Sequence, residues 1–287
     1  MKTNPKKVTF NFFDYKWSLV PDWAEKTEDV YRKWYLDRYG LSGMEGLKKF
    51  LADKQDICEA GCGLARDSKM FAEANRTARI LAVDQSKPAL EVAKRTLAKF
   101  PNVATMRGDI TNFNPKRKFD FISCDQVIHH TPDPGKTLAH LYSLLKPGGV
   151  INFSVCKKKN EFRELVDDCI MNHAKKMKPK DLWEFSRTVT LFAKALYDLG
   201  IKNVKFRGKT YPNLQRFVHN HVFRAWYNPD LPLELSVSSN YDWFSQNPRL
   251  SAADIRKKML NRISKFKVLR FHEDDAVISV SLRKTVK

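Results

Sequence analysis

The chain has few of the features that mark secreted, membrane-spanning and zinc-binding proteins. Its five cysteines among 287 residues form no paired Cys-x-x-Cys pattern, so they predict no zinc site and suit buried thiols in a reducing compartment. No run of about 18 apolar residues occurs, which argues against a transmembrane helix. The basic N-terminus has no apolar stretch of signal-peptide length. We therefore expect a cytoplasmic protein without a metal site.

Acidic residues are scarce relative to basic ones. The chain has 52 Lys and Arg against 32 Asp and Glu, a formal net charge of +20. Such an excess raises the affinity for polyanions such as RNA and anionic lipid headgroups. The positive residues are scattered, however, and form no long basic arm or tail. Two interpretations stay open, because the charge can serve as a binding surface or simply keep the protein soluble.

Periodicity divides the chain into predicted parts, without internal repeats. Residues 1–50 form an aromatic-rich helical segment that packs against the core or covers a ligand as a lid. Residues 51–155 alternate strands and helices, and with two strand-like runs in 266–287 they predict an α/β fold. The expected sheet is seven-stranded and mostly parallel, with helices on both faces. Residues 156–265, helical and then rich in proline and aromatic residues, predict a substrate-binding cap insertion.

A glycine-rich turn carries most of the chemical information. Glu59, Gly61 and Gly63 follow a short apolar run, and Asp84 ends a second apolar run about 20 positions later. Glycines allow a sharp turn and close approach of the backbone to a ligand, while a carboxylate at that distance can bind two ribose hydroxyls. The pattern predicts a nucleotide-binding βαβ unit.

The turn departs from the dinucleotide-binding pattern. Arg66 occupies the position of the third glycine in Gly-x-Gly-x-x-Gly. Glu59 directly before the turn would repel a pyrophosphate but suits a ligand with a cationic amino group.

Several ordered motifs make the chain resemble the class I S-adenosylmethionine-dependent methyltransferases, particularly those of small-molecule type. The matching positions are Glu59-x-Gly61-x-Gly63-x-Ala65, Asp84, Asp109, Phe119 to His130, and Leu144 to Gly149. The resemblance covers about residues 50–155 and the terminal strands. It implies a Rossmann-like fold and S-adenosyl-L-methionine as cofactor. Glu59 replaces the more usual aspartate, and Ala65 replaces the last glycine.

The resemblance also implies individual roles. Asp84 should accept hydrogen bonds from the ribose hydroxyls, and Asp109 from the adenine amine. Asp125 or a nearby carbonyl could receive the ammonium group of the methionine moiety. The complete predicted cofactor set is Glu59, Gly61, Cys62, Gly63, Asp84, Gln85, Asp109, Ile110, Asp125 and Gln126.

Candidates for the chemistry and for acceptor binding are less specific. His129 and His130 follow the fourth strand, where an imidazole could act as general base, although this segment could equally serve only to shape the loop. In the insertion, the candidate substrate residues are Tyr211, His221, Tyr241 and Trp243. Core packing within the cap is the alternative role for these aromatic residues.

The sequence thus favours methyl transfer to a small molecule enclosed under a cap. An RNA or polyanion methyltransferase is the alternative suggested by the charge. Asp125-Gln126-Val127-Ile128 stands where nucleic-acid amino-methyltransferases often have Asn/Asp-Pro-Pro-aromatic, which argues against that class. A non-catalytic cofactor-binding partner protein is a third possibility. The methyl acceptor and the oligomeric state are not predicted.

Overall fold

A computed structural model describes residues 5–245 and 248–285, with side chains from residue 12 onward. Contacts divide the chain into two units. The sheet unit comprises residues 21–157 and 248–285, and the helical unit comprises residues 5–20 and 158–245.

The strands alternate with helices over the first half of the chain. The strands are β1 Asp56–Ala60, β2 Arg79–Asp84, β3 Val103–Arg107, β4 Phe119–Cys124, β5 Leu145–Cys156, β6 Lys202–Phe206, β7 Lys209–Asn213, β8 Phe266–Glu273 and β9 Val277–Lys284. The helices are α1 Pro5–Leu19, α2 Trp23–Lys26, α3 Glu28–Tyr39, α4 Gly43–Leu51, α5 Arg66–Ala74, α6 Lys87–Thr96, α7 Pro134–Ser143, α8 Glu161–Ala174, α9 Pro179–Asp198, α10 Leu214–His221 and α11 Leu233–Phe244. Shorter helical turns occupy Ile128–His130, Ala252–Asp254, Ile255–Met259 and Leu260–Arg262.

The sheet unit contains one seven-stranded sheet in the order β3-β2-β1-β4-β5-β9-β8. The first five strands are parallel, and β9 runs antiparallel to both β5 and β8. The predicted fold class, a seven-stranded and mostly parallel sheet with helices, is confirmed.

The central strands are buried on both faces, as expected of a parallel sheet covered by helices. Successive side chains point to opposite faces, so Ile57 and Phe121 join one hydrophobic cluster while Cys58 and Ile122 join the other. Helices α3 to α6 contribute to the first cluster, and α7 with the turns of residues 252–262 contributes to the second. This double burial fixes the positions of the strand ends.

The unit boundaries differ from the predicted parts. Residues 21–50 belong to the sheet unit because their apolar faces bury there: the Tyr35 ring packs on Phe71 and the Phe50 ring on Phe121. Residues 248–265 also belong to it, and Ile255 lies in its core. Residues 5–20 instead group with 158–245. The roles of lid and cap stay predictions.

The helical unit is organised around a buried carboxylate. Asp167 on α8 accepts hydrogen bonds from Arg163 Nε at 2.9 Å, from Trp243 Nε1 at 3.0 Å and from the backbone N–H of Arg224 at 3.0 Å. Both Arg163 and Asp167 are fully buried. A buried carboxylate is tolerated because these donors replace its hydration.

The insertion also contains the β6–β7 hairpin, which the periodicity of the sequence did not predict. Its turn places Arg207 at φ +48° and Gly208 at φ +75°. Two successive left-handed residues are typical of the tight turn that matches the twist of a two-stranded hairpin. Over the described ranges 5–245 and 248–285, no helix combines the length and the apolar character needed to cross a membrane.

We predict that Asp167→Ala destabilises the helical unit by about 3–5 kcal/mol, because it leaves the Arg163 guanidinium buried without its counter-charge. Urea unfolding followed by far-ultraviolet circular dichroism would measure this loss. Glu184→Ala, at an exposed position on α9, serves as the control and should change stability by less than about 0.5 kcal/mol. Equal stability of the two variants would contradict the role assigned to Asp167.

Candidate cofactor-binding site

The predicted cofactor residues gather at the carboxyl ends of β1, β2, β3 and β4. From β1 the chain adds β2 and β3 on one side of the sheet, and then crosses to the other side of β1 to add β4 and β5. The topological switch point therefore lies between β1 and β4. The loops that leave two such neighbouring strands diverge to opposite faces, which opens a crevice at that edge. The topology therefore opens this crevice between the same loops that the sequence motifs indicate.

The glycine turn after β1 requires its glycines. The backbone N–H groups of Gly61 and Cys62 both donate to Val83 O, at 2.8 and 2.9 Å. Gly61 has φ +82°, and a Cβ placed there would lie only 2.3 Å from Val127 Cγ1. Gly63 is also left-handed, with φ +51°. A side chain at Gly61 would thus displace either the turn or the loop after β4.

Asp84 connects this turn to the end of β2. Its Oδ2 accepts the backbone N–H of Gly63 at 2.8 Å, and its Oδ1 accepts that of Ser86 at 2.8 Å. The two bonds orient a half-buried carboxylate at the edge of the sheet. An acceptor held in this way is suited to binding a pair of vicinal hydroxyl groups.

The loop after β3 lies next to Asp84, since the backbone N–H of Gly108 donates to Asp84 O at 3.0 Å. Asp109 is half-buried, and its Oδ1 accepts the N–H of Thr111 at 2.9 Å. One oxygen of Asp109 therefore caps its own loop. The Ile110 side chain is buried, and that of Gln85 is exposed.

Glu59 has a structural partner within the turn. Its carboxylate accepts hydrogen bonds from both the backbone N–H and the hydroxyl of Ser68, near the start of α5. Burial, together with the neighbouring Asp67, raises the pKa of the Glu59 carboxyl well above its usual range. The structure thus pairs Glu59 with Ser68 at the start of α5, and its role toward a cationic ligand group stays a prediction.

Asp125 is likewise engaged with protein groups. It accepts from Arg38 Nη1 at 3.2 Å, from the Tyr39 hydroxyl at 2.8 Å and from Ser154 Oγ at 2.7 Å. Ser154 Oγ also accepts the backbone N–H of Gln126, which has the left-handed φ of +55°. Asp125 therefore anchors the loop after β4 to α3 and β5. Sequence reasoning did not identify Arg38 and Tyr39, because only the fold brings them to this strand end.

The two histidines occupy different environments. The His129 side chain is 1% exposed, its Nε2 lies 3.6 Å from Cys156 Sγ, and its Nδ1 has no hydrogen-bond partner among the described residues. Burial lowers the pKa of His129 to about 4. His130 is half-buried, with its ring centroid 4.2 Å from that of His129. His129 is thus neutral and enclosed at pH 7, whereas His130 is partly accessible.

The four candidate substrate residues fall into two groups within the helical unit. Tyr241 and Trp243 are buried: the Tyr241 hydroxyl donates to Phe12 O at 3.1 Å, and Trp243 donates to the buried Asp167. Tyr211 and His221 are half-buried and meet through a 2.5 Å contact between the Tyr211 hydroxyl and His221 Nε2. Tyr241 and Trp243 are therefore packed inside the helical unit, and a role for them in substrate binding stays a prediction.

Metal-binding clusters are absent from the part of the chain that the structure describes, where no three His, Cys, Asp or Glu side chains converge. All five cysteines lie within the described ranges and none forms a disulfide; Cys169 is exposed and the other four are buried.

We predict that His129 makes folding stability depend on pH. Its folded-state pKa of about 4 lies below the ordinary value of about 6.5, so the unfolded chain takes up the proton first as the pH falls. The free energy of unfolding therefore keeps its full value above pH 6.5 and falls by up to about 3 kcal/mol between pH 6.5 and 4. Urea titrations over this range should give a shallower pH dependence for His129→Gln than for the unchanged protein. Parallel curves would contradict the burial of this imidazole.

Comparisons with known proteins agree with this architecture. The model of the methyltransferase domain family matches residues 58–151. A malonyl-[acyl-carrier protein] O-methyltransferase from Ilyobacter polytropus is 32% identical over 40% of this chain and 47% of its own length. A ubiquinone biosynthesis O-methyltransferase from Saccharophagus degradans is 28% identical over 56% of this chain and 69% of its own length. The chain thus spans about half of the first of these relatives.

Among solved structures, an O-methyltransferase family protein from Burkholderia thailandensis aligns over 90% of this chain and 59% of its own, with a TM-score of 0.49 and 8% identity. Residues 58–151, which match the methyltransferase domain family, contain the glycine turn, Asp84, Asp109 and the loop after β4 in the order described above. The part of the chain that carries these motifs thus matches a methyltransferase domain.

Proposed function

We propose that this protein transfers the methyl group of S-adenosylmethionine to a small-molecule acceptor. The observation that carries the proposal is the Asp84 carboxylate, held by Gly63 and Ser86 at the crevice between β1 and β4. Its position supports binding of the ribose hydroxyls of a nucleoside. The cofactor supplies an activated methyl group, so the protein has mainly to bind, align and exclude water.

The other residues of the crevice divide the remaining tasks. In this proposal Asp109 accepts from the adenine amine, and Ile110 packs near the ring. The exposed Gln85 borders the adenine. The backbone of Gly61 to Gly63 lies against the methionine moiety, which only a turn without side chains at these glycines allows.

Glu59 and Asp125 act as supports rather than as ligands in this proposal. Glu59 holds the start of α5 through Ser68, and Asp125 holds the β4 loop through Arg38 and Tyr39. Both carboxylates keep the crevice in shape before the cofactor arrives. The sulfonium and the ammonium group of the cofactor still benefit from the negative charge of Asp125 through space.

An acceptor hydroxyl must lose its proton during transfer. His130 is the better candidate base, because His129 is enclosed and burial holds its pKa at about 4. The curated relatives named above are O-methyltransferases, which supports an oxygen acceptor for this chain too. We assign acceptor binding to the helical unit, where Tyr211 and His221 remain partly accessible.

The net charge of +20 favours a second candidate, methyl transfer to RNA or another polyanion. Cofactor-dependent binding of RNA that weakens steeply with salt would support it. Turnover of a neutral acceptor would change little over the same salt range.

We predict that Asp84→Ala weakens S-adenosylmethionine binding by about 2–3 kcal/mol, roughly 30- to 150-fold, because the ribose hydroxyls lose a charged acceptor. Isothermal titration calorimetry would measure this, with thermal unfolding to show that the variant is folded. Glu91→Ala, at an exposed position on α6, is the matched control and should bind like the unchanged protein. Equal affinities for all three proteins would contradict the proposed site.

A further inference from the structure

One stretch of the helical unit has an unusual charge. Residues 199–229 contain no Asp or Glu. They contain six cationic residues, namely Lys202, Lys205, Arg207, Lys209, Arg216 and Arg224. This stretch therefore concentrates positive charge within the helical unit that the catalytic proposal does not use.

The β6–β7 hairpin presents these charges to solvent. Its strands pair with each other, in a sheet separate from the seven-stranded one. The side chains of Lys205, Arg207 and Lys209 are exposed. Among the described residues none of these three cations forms an ion pair, and Arg207 instead lies 5.3 Å from the centre of the Phe206 ring. The hairpin therefore carries a concentrated positive potential.

Apolar side chains stand beside the charges. Leu199 is 62% exposed, Ile201 48% and Phe206 39%. Exposed aliphatic residues in one short segment, bordered by lysine and arginine, are not explained by packing in the helical unit. We refer to Leu199, Ile201, Phe206, Lys205, Arg207 and Lys209 as the basic hairpin surface.

The base of the hairpin is firmly attached. The backbone N–H of Leu214 donates to Ile201 O at 3.0 Å, and the Phe206 ring packs against Phe217 and His221 at centroid distances of 5.4 and 5.3 Å. Burial lowers the pKa of His221, and so does the nearby charge of Lys159 and Lys209. The surface is thus preformed and electrostatically positive.

We propose that the basic hairpin surface docks the protein on the headgroup region of an anionic phospholipid bilayer. Lysine and arginine gain electrostatic energy near anionic headgroups, and adjacent apolar side chains insert between them. RNA is less well matched. Single-stranded nucleic acid is held by stacking on open aromatic faces, whereas Leu199 and Ile201 are aliphatic and Phe206 already packs on two rings.

Sedimentation with vesicles tests the proposal on the full chain. Vesicles of equal parts phosphatidylglycerol and phosphatidylcholine should bind the protein. Binding should be weaker at 300 than at 50 mM salt, because the Debye length shortens from about 14 Å to about 6 Å. Pure phosphatidylcholine vesicles should bind it much less. The combined variant Lys205→Gln, Arg207→Gln, Lys209→Gln should lower partitioning by roughly 100-fold, from the loss of three charges.

A matched variant controls for net charge. Lys49→Gln, Arg95→Gln, Lys99→Gln removes three exposed cations from the sheet unit and should lower vesicle binding less than about threefold. Leu199→Ser tests the apolar contribution without touching any charge, and it should weaken vesicle binding several-fold, whereas the exposed Leu269→Ser should not.

Three results would overturn the proposal. The first is equal loss of vesicle binding in the two triple variants, which would indicate a general charge effect. The second is equal binding to anionic and neutral vesicles. The third is binding of a fluorescent single-stranded RNA that depends on the hairpin cations while no vesicle binding is detected, which would make the surface a nucleic-acid site.

Discussion

The hydrogen bond from the Gly63 backbone to Asp84 is the constraint on which the candidate site depends. It joins the turn after β1 to the end of β2, two strands that also pair along their length. A second bond, from Gly61 to Val83 O, closes the same junction. Both bonds need a left-handed backbone at the glycines. The conformation of the turn therefore sets the position of the Asp84 carboxylate and, with it, the shape of the crevice.

A second junction completes the crevice from the other side. Asp125 at the end of β4 is held by Arg38 and Tyr39 of α3, and Ser154 of β5 joins it to the backbone of Gln126. Helix α3 is therefore part of the site's framework. A buried carboxylate of this kind is favourable only while all its donors are present. Loss of structure in α3 is therefore expected to disorder the β4 loop as well.

The sheet was predictable from sequence because buried parallel strands are near-continuous apolar runs, as in Ile80 to Val83, and the intervening helices have clear caps. The glycine turn and Asp84 were predictable because their spacing follows from the βαβ geometry.

The partners of Asp125 were not predictable, since Arg38 and Tyr39 lie 87 and 86 positions away along the chain. The β6–β7 hairpin escaped prediction because nearly all of its side chains are exposed and leave no alternating pattern. Tyr241 and Trp243 show that aromatic residues alone do not separate binding from packing.

A crystal structure of the protein with S-adenosylhomocysteine, the product of methyl transfer, tests the central claim most directly. The account predicts that both ribose hydroxyl oxygens lie within hydrogen-bonding distance, about 2.5–3.0 Å, of the Asp84 carboxylate, with the glycine turn in the conformation described. Occupied density for the nucleoside at another place on the chain, with Asp84 facing solvent, would contradict it.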